Sequence, residues 1–336
     1  MVISQNAYKH PTCPLEPILQ SLHILQPTFN LNQTDLICDR NNLRRLLGFA
    51  SGDVNEKFEI IVEVVNNTVL FIRLDGAISE HIDPAVQFRG FGHTFEKVFT
   101  KRLEAVEKTV SHHRVVGYTF GGLKLVVRFE ADGAVYPSSV PESGSTEQLE
   151  EVEVVEGSNG SSLDPTSNPS LENEGNDNPP LPAATGATTP GPSSARIFVL
   201  QAGHLIPQRS IIEIKTRNAK FPTTIQQNMP QLWFSNTRHL YVGLHHWGAF
   251  VEVKKHTVSD GINASWESSM KEELGKLADL LGRIIEAARG NTSGARMRVR
   301  CSGGTLKLED WDERETPEIL LKRLPIDLRE MWTPGG

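Results

Sequence analysis

Apolar positions along the chain follow either the two-residue period of strands or the three-to-four-residue period of helices. Apolar runs flanking turn dipeptides predict two β-hairpins, at 58–75 and 112–132. Further strands are predicted at 196–200, 209–217 and 239–247, with a last hairpin at 297–311. Helices are predicted at 15–25, 39–50, 88–106, 230–237 and 265–289. This mixture indicates an α+β (α/β) fold with a mixed β-sheet and flanking helices.

The segment 133–195 interrupts this pattern. It is dominated by Ser, Pro, Gly, Thr, Asn and Glu, and such a composition buries too little apolar surface to offset the entropy of ordering. We therefore predict a long disordered loop inserted into one folded domain. The predicted parts of the chain are a helical arm packing on the core (1–50), the first part of the domain (51–132), the acidic insertion (133–195), the second part of the domain (196–311) and a tail (312–336).

The insertion also masks the charge of the folded part. It carries ten acidic residues and no Lys or Arg, so the net charge of −7 for the whole chain becomes +3 without it. A mildly basic folded part is compatible with an anionic partner, although it is far from the cationic balance that would by itself indicate DNA binding. The acidic insertion is a candidate contact for a protein partner.

The cysteines and the apolar runs of the chain indicate the cellular compartment. Cys13, Cys38 and Cys301 form no Cys-x-x-Cys or Cys/His pairing, which disfavours zinc and disulfide frameworks and favours a reducing compartment. The N-terminus has no basic region followed by an apolar one, and no apolar run approaches the length that spans a bilayer. We expect a soluble intracellular protein of the nucleus or cytoplasm, without a membrane partner.

Charged residues lie on two of the apolar strands. Alternation in 209–217 places Glu213 and Lys215 on one face. An isolated Glu-x-Lys pair of this kind is usually an exposed ion pair. Glu130 and Asp132 likewise share a face at the end of another strand, where a solvated strand end is the simpler explanation.

Taken together, the two charged segments indicate a metal site. Without the insertion, Asp132 and Glu213 are eighteen positions apart, which is short enough to bring both strands into one sheet. Neighbouring carboxylates repel one another unless a cation neutralises them, and oxygen-only clusters suit Mg²⁺ or Mn²⁺. Asp132 and Glu213 would hold the ion, with Glu130 beside a second one. The Ile214 carbonyl would complete the shell and Lys215 would orient or deprotonate water, which is the apparatus of metal-assisted phosphodiester hydrolysis.

Four short elements follow one another in the chain. They are Arg89-Gly90, Gly-Tyr-Thr-Phe at 117–120, Glu-Ala-Asp at 130–132 and Glu-Ile-Lys at 213–215. With the segment 230–248, they resemble the PD-(D/E)xK nuclease core, in which a Gln-containing helix follows the Glu-x-Lys strand. Within that superfamily the order is most similar to the DXO family of RNA 5′-end decapping exonucleases. The match covers under a third of the chain.

The resemblance implies a nuclease-like hydrolase acting on RNA or DNA phosphodiester bonds, at 5′ ends, with Mg²⁺ or Mn²⁺ as cofactor and RNA as the expected partner. By the same resemblance, Arg89 would contact substrate phosphate and Gln231 would lie near the nucleic acid. The glutamate that the family carries after Gly-Tyr-x-Phe is Gly121 here. Glu96 is the candidate replacement metal ligand, with an ordinary surface residue as the alternative. Without a replacement, the chain would be a degenerate nuclease-fold protein that binds nucleic acid or protein without cutting.

Overall fold

A seven-stranded and a four-stranded β-sheet, with the helices packed on them, make up the frame of the protein, and Val2–Ser4 and Ser79–His81 form a separate two-stranded sheet. The computed structural model describes residues 2–4, 13–74, 79–81, 90–102, 107, 109, 111–135, 205–311 and 323–332. The strands are β1 (Val2–Ser4), β2 (Leu36–Asp39), β3 (Phe58–Val65), β4 (Thr68–Leu74), β5 (Ser79–His81), β6 (His113–Phe120), β7 (Leu123–Glu130), β8 (Gly133–Ala134), β9 (Ile211–Asn218), β10 (His239–His246), β11 (Ala249–Thr257), β12 (Met297–Ser302) and β13 (Thr305–Asp310).

Seven α-helices accompany these strands in the described residues. They are α1 (Glu16–Leu25), α2 (Arg40–Ala50), α3 (Gly92–Phe99), α4 (Ile225–Phe234), α5 (Asp260–Ser269), α6 (Lys271–Arg289) and α7 (Ile326–Arg329). None of the helices in this part of the chain is long and apolar enough to cross a membrane.

The larger sheet has seven strands in the order β13-β12-β3-β4-β2-β7-β6. The central strand β2 is parallel to both of its neighbours, and the other pairs are antiparallel. The smaller sheet has the order β11-β10-β9-β8, with β9 and β10 parallel. The prediction of a mixed sheet with flanking helices is confirmed.

Turn chemistry explains the two predicted hairpins. Asn66 has φ 51° between β3 and β4, and Gly121 and Gly122 have φ 56° and 81° between β6 and β7. Asn and Gly tolerate this left-handed region best, so these dipeptides close tight turns.

Apolar cores lie on both faces of the larger sheet. Along β2, Leu36 and Cys38 face one core and Ile37 faces the other, as strand alternation requires. The first core is closed by α2, α4 and α6, and α6 contributes Leu277 and Leu281 at helical spacing. Full burial of each such leucine stabilises the fold by about 1.5–3 kcal/mol. The same core reaches the smaller sheet through Leu240 and Val242, so both sheets share one packed interior.

Several element boundaries depart from the sequence prediction. The helix predicted at 265–289 is two helices that meet at Met270, and α5 begins earlier because the Ser259 side chain caps it. The helix predicted from 230 begins at Ile225, where Thr224 and Gln227 form a capping box. The predicted helix 88–106 ends at Phe99 in the described residues, and the strand predicted at 196–200 lies outside them.

Three of the predicted parts of the chain also need correction. The arm 1–50 contains β2, a central strand that is too short to give a periodic signal. Residues 133 and 134, predicted as the start of the insertion, belong to the folded part, because β8 pairs with β9. The prediction of a tail at 312–336 is wrong for residues 323–332. There Trp332 is fully buried, and its indole N–H donates to Thr68 Oγ1 at 2.7 Å. The other predicted boundaries stay predictions.

Candidate functional site

The chain crosses from the larger sheet to the smaller one directly after β7. β8 pairs antiparallel with β9 and sets Gly133 opposite Ile212. Continuing that register by one residue sets Asp132 opposite Glu213. The expectation that β7 and β9 share one sheet is wrong, because the chain changes sheets at Ala131 and Asp132. The short strand β8 nevertheless brings the two acids together.

Asp132, Glu213 and Lys215 meet at this crossing. Asp132 Oδ2 accepts a hydrogen bond from the Ile214 backbone N–H at 2.7 Å and lies 3.9 Å from Lys215 Nζ. Lys215 Nζ also contacts Glu213 Oε1, because both side chains project from the same face of β9. The structure therefore brings together the three residues that the sequence predicted as catalytic, and their catalytic roles stay predictions.

Glu213 is the most buried of these charged groups, at 2% exposure. Its Oε2 pairs with Arg40 NH1 at 2.9 Å, and its Oε1 contacts the Lys215 ammonium and the Gln231 side-chain amide. Burial acts to raise the pKa of Glu213, but the charges of Lys215 and Arg40 outweigh burial and hold that pKa below its usual value. Glu213 is therefore an ionised, fully paired carboxylate at neutral pH.

The pKa of Asp132 is shifted in the opposite direction from that of Glu213. Burial first, and the negative charge of Glu213 second, raise the pKa of Asp132 well above its usual value. The ammonium of Lys215 and the backbone N–H of Ile214 oppose this shift without cancelling it. Two carboxylates thus compete for one lysine, and the site is short of positive charge.

Helix α3 places Glu96 beside the same site. Gly92 of this helix faces Thr216 of β9. Phe95 is 2% exposed and packs on Gly243 of β10, where any larger residue would collide with the Phe95 ring. Burial raises the pKa of Glu96, the charges of Lys215 and His93 lower it, and those of Glu130 and Glu213 raise it. Glu96 therefore lies in the electrostatic field of Lys215 and Glu213, and its role as a replacement metal ligand stays a prediction.

The assignment of Gly121 to the missing family glutamate is also wrong. Gly121 forms the turn at the far end of the β6–β7 hairpin and packs against Ala278 of α6. The whole length of β7 separates it from Asp132. The spacing Gly-x-x-Phe also occurs at 92–95, where Glu96 follows it, and the charge of Glu96 acts on Asp132. Sequence reasoning missed this match because His93 stands where the motif has tyrosine.

Arg40 is the site residue that sequence reasoning did not find. It opens α2, its guanidinium lies over the Phe129 ring at 5.4 Å, and NH1 also donates to Ser235 Oγ at 3.2 Å. Arg40 precedes Glu213 by 173 positions, and nothing in its local pattern distinguishes it from other helix-start arginines.

The remaining predicted residues have different outcomes. Gln231 lies at the site on α4 and contacts Glu213. Glu130 is exposed at the end of β7, opposite His113. The Ile214 N–H binds Asp132, and a role for its carbonyl stays a prediction. Arg89 lies outside the described residues.

The donor set is of the kind that a hard divalent cation prefers. In the described residues no three Asp, Glu, His or Cys side chains are already grouped around a common point. The site nevertheless offers only oxygen ligands, from Glu96, Glu130, Asp132 and Glu213, against the two cations Lys215 and Arg40. Because the pKa values of both Asp132 and Glu96 are raised, another positive charge would be favourable here.

Solved structures with this architecture define the class of the fold. The chain is similar to Scheffersomyces stipitis Rai1 in complex with (3'-NADP)+ and calcium ion, with TM-score 0.57, 12% identity, and coverage of 97% of this chain and 80% of that one. It is similar to S. pombe Rai1 in complex with 3'-FADP, with TM-score 0.52, 13% identity, and coverage of 88% and 77%. It is also similar to Candida albicans Rai1 in complex with pU5-Mn2+, with TM-score 0.52, 9% identity, and coverage of 95% and 80%.

These similarities show that the protein has the fold of the Rai1 structures, and they confirm the resemblance to the DXO family at the level of fold. The chain belongs to the family described as Domain of unknown function (DUF8563), which matches residues 1–303. No curated protein sequence matches it.

Proposed function

We propose that the protein is a divalent-metal-dependent hydrolase of RNA phosphodiester bonds that acts near 5′ ends. The observation that carries this proposal is the convergence of Glu96, Asp132 and Glu213 with Lys215 where the two sheets meet. Carboxylates from separate elements beside one lysine form the donor set needed for metal-assisted hydrolysis.

Glu96, Asp132 and Glu213, with the Ile214 carbonyl, are the groups that would hold a Mg²⁺ or Mn²⁺ ion, and Glu130 would serve a second one. When bound, the ion supplies Lewis-acid polarisation of the phosphate. Two of the similar Rai1 structures hold calcium or Mn²⁺, which supports a divalent cation, and one of them holds pU5, which supports RNA as the substrate.

The protein side chains divide the remaining work. Lys215 Nζ lies between the carboxylates of Asp132 and Glu213, where it can orient a water molecule and hold a proton during attack. Arg40 is held against Glu213 by Ser235 and by the Gln231 carbonyl, at 3.2 and 3.4 Å. The forked donors of this guanidinium are well suited to bind a substrate phosphate beside Glu213.

Cleavage of RNA by the purified full chain tests the proposal. We expect a 5′-labelled single-stranded RNA to be degraded with Mn²⁺ or Mg²⁺ and to stay intact in EDTA. Lys215→Ala should lower the rate by about 10²–10⁴-fold, the usual contribution of a positioned acid–base group. The matched control is Lys276→Ala, which removes an exposed lysine on α6 and should cleave like wild type. Activity in EDTA, or full activity of Lys215→Ala, would contradict the proposal.

One observation favours a second candidate, a nucleic-acid-binding protein without hydrolytic activity. Arg40, Lys215 and Gln231 already satisfy both oxygens of Glu213, so Glu213 itself is paired without an ion. An ion that binds only the folded protein must stabilise it, by about 2.7 kcal/mol at one hundred times its Kd. A thermal shift with Mn²⁺ that disappears in Glu213→Gln argues for the hydrolase. RNA binding with no shift argues for the binding protein.

A further inference from the structure

Two large aromatic side chains are exposed at one end of the smaller sheet. Trp247 is 91% exposed and Phe221 is 76% exposed. Among the residues that the structure describes, no other Phe, Tyr or Trp side chain is exposed to this extent. Singly exposed apolar side chains are normal, but two large rings at the same end of one sheet make that end a candidate interaction surface.

Both rings lie beyond the carboxyl ends of the parallel strands β9 and β10. In their register Asn218 is opposite His245. The Ala219 N–H donates to the His245 carbonyl at 2.9 Å and the Phe221 N–H donates to the Asn218 carbonyl at 2.9 Å. The turn that carries Phe221 is thereby fixed to the end of β10, next to the β10–β11 turn that carries Trp247.

This end of the sheet is tied to the helix that carries Glu96. Phe91, at the start of α3, packs edge-on against His245 at 4.6 Å between ring centroids and against Phe250 at 6.4 Å. Gly248, with φ 96°, packs so closely on the Phe91 ring that a side chain there would collide with it. The exposed rings and the candidate site therefore share one rigid frame.

Trp247 occupies a position that folding does not favour for tryptophan. It has φ 51° and forms, with Gly248, the two-residue turn between His246 and Ala249. Both turn residues have positive φ, a geometry that selects Asn-Gly or Asp-Gly, and a bulky residue there is an outlier. The ring also packs into no core. Neither the turn nor the interior accounts for this tryptophan, which favours a functional role.

Positive charge lies beside the rings. Arg217 and Lys220 are exposed, and neither is ion-paired with an acidic group of the described part of the chain. By strand alternation Arg217 shares the face of β9 that carries Glu213 and Lys215. Stacking rings beside a cationic track that runs toward the site are the features with which proteins bind single-stranded nucleic acid.

We propose that Trp247, Phe221, Arg217 and Lys220 form a stacking platform for the single-stranded part of a nucleic acid whose end lies in the site. The proposal rests on the proposed function for the choice of nucleic acid, and it adds a second contact with the strand, away from the bond that is cleaved. Trp247 is five residues beyond Val242, the partner of Lys215, or about 16 Å along the strand. A substrate must therefore extend a few nucleotides from the cleaved bond to reach the platform.

Binding to the full chain in EDTA tests the platform without cleavage. A single-stranded oligonucleotide of about ten nucleotides should quench the fluorescence of Trp247, and Trp247→Ala should weaken binding by about 5- to 100-fold, the range for one stacked base. Trp247→Phe should lose the quenching but retain more affinity, because a ring remains. The control Ile326→Ala, at a residue 78% exposed on α7, should bind like wild type. Trp247→Asn should weaken binding while keeping or raising Tm, because Asn favours positive φ.

The outcomes separate this proposal from the proposed function. If Trp247→Ala binds the single strand as tightly as wild type, or if fully paired duplex loses affinity equally, the platform is wrong while Lys215-dependent cleavage is unaffected. If wild type binds no oligonucleotide and the surface instead binds a protein, the platform is also wrong. If binding depends on Trp247 and no metal-dependent cleavage occurs, the platform stands and the hydrolase does not.

Discussion

Two buried glutamates in the protein resemble each other in burial and differ in their neighbours. Glu63 on β3 is 3% exposed and Glu213 on β9 is 2% exposed. Arginine accompanies both, since Glu63 contacts Arg329 and lies 3.7 Å from Arg296, while Glu213 pairs with Arg40. A buried charge beside arginine is therefore not by itself evidence of an active site.

The difference lies in the other acids. The charged groups that shift the pKa of Glu63 are all arginines. Around Glu213, by contrast, Asp132 and Glu96 add further carboxylates, and burial together with the charge of Glu213 acts to raise the pKa of each. Negative charge that the protein itself does not neutralise favours the binding of a cation. A carboxylate that is already paired with arginines has no such need. Clustering of acids, more than burial, distinguishes the candidate site.

The largest effect should come from removing an acid that makes the cluster. We expect Glu96→Gln to lower metal-dependent RNA cleavage by about 10²-fold or more, as loss of a group that acts directly in the reaction does. Stability should change little or rise, because a like charge is removed from a crowded site. Rates measured with saturating Mn²⁺, together with a urea unfolding curve, would show both. Cleavage equal to wild type would remove Glu96 from the site.

Removing Glu63 should have the reverse pattern. Glu63→Ala leaves Arg296, which is 3% exposed, without its carboxylate, and we expect a loss of about 1–3 kcal/mol of unfolding free energy. Cleavage by the folded fraction should equal wild type. Urea denaturation beside the RNA assay measures the two quantities. A loss of activity that exceeds the loss of folded protein would mean that Glu63 belongs to the functional machinery.

The smallest effect should be a pH dependence. Burial raises the pKa of Glu63 above 4.5, with Arg329 and Arg296 opposing the shift. The folded protein then holds this proton more tightly than the unfolded chain does, so stability falls as pH rises from 4.5 through the raised pKa. Glu63→Gln should lack this part of the dependence in urea unfolding between about pH 4 and about pH 8. A difference in unfolding free energy between Glu63→Gln and wild type that does not vary with pH would contradict this prediction.

Local pattern predicted much of the fold. The hairpins came from apolar runs around Asn66-Asn67 and Gly121-Gly122, and the pair Glu213 and Lys215 came from strand alternation. Elements that depend on tertiary packing were missed. Strand β2 has four residues and lies in the middle of a sheet, and the segment ending at Trp332 is ordered by a hydrogen bond to Thr68, 264 positions away.

The candidate site shows the same division. Asp132, Glu213, Lys215 and Gln231 were predicted because short motifs carry them, and the structure places them together. Arg40 reaches the site only through the docking of α2 on α4, which no local signal reports. The motif Gly-Tyr-Thr-Phe predicts the family glutamate at position 121. Only the folded chain shows that the turn at Gly121 lies far from Asp132.

Calorimetric titration of Mn²⁺ into the full chain tests the central claim most directly, since it reads ion binding without requiring the correct substrate. We expect wild type to bind Mn²⁺, Asp132→Asn to lose most of that binding while keeping the fold, and Glu63→Gln to bind like wild type. No Mn²⁺ binding by wild type, or equal binding by Asp132→Asn, would contradict the account.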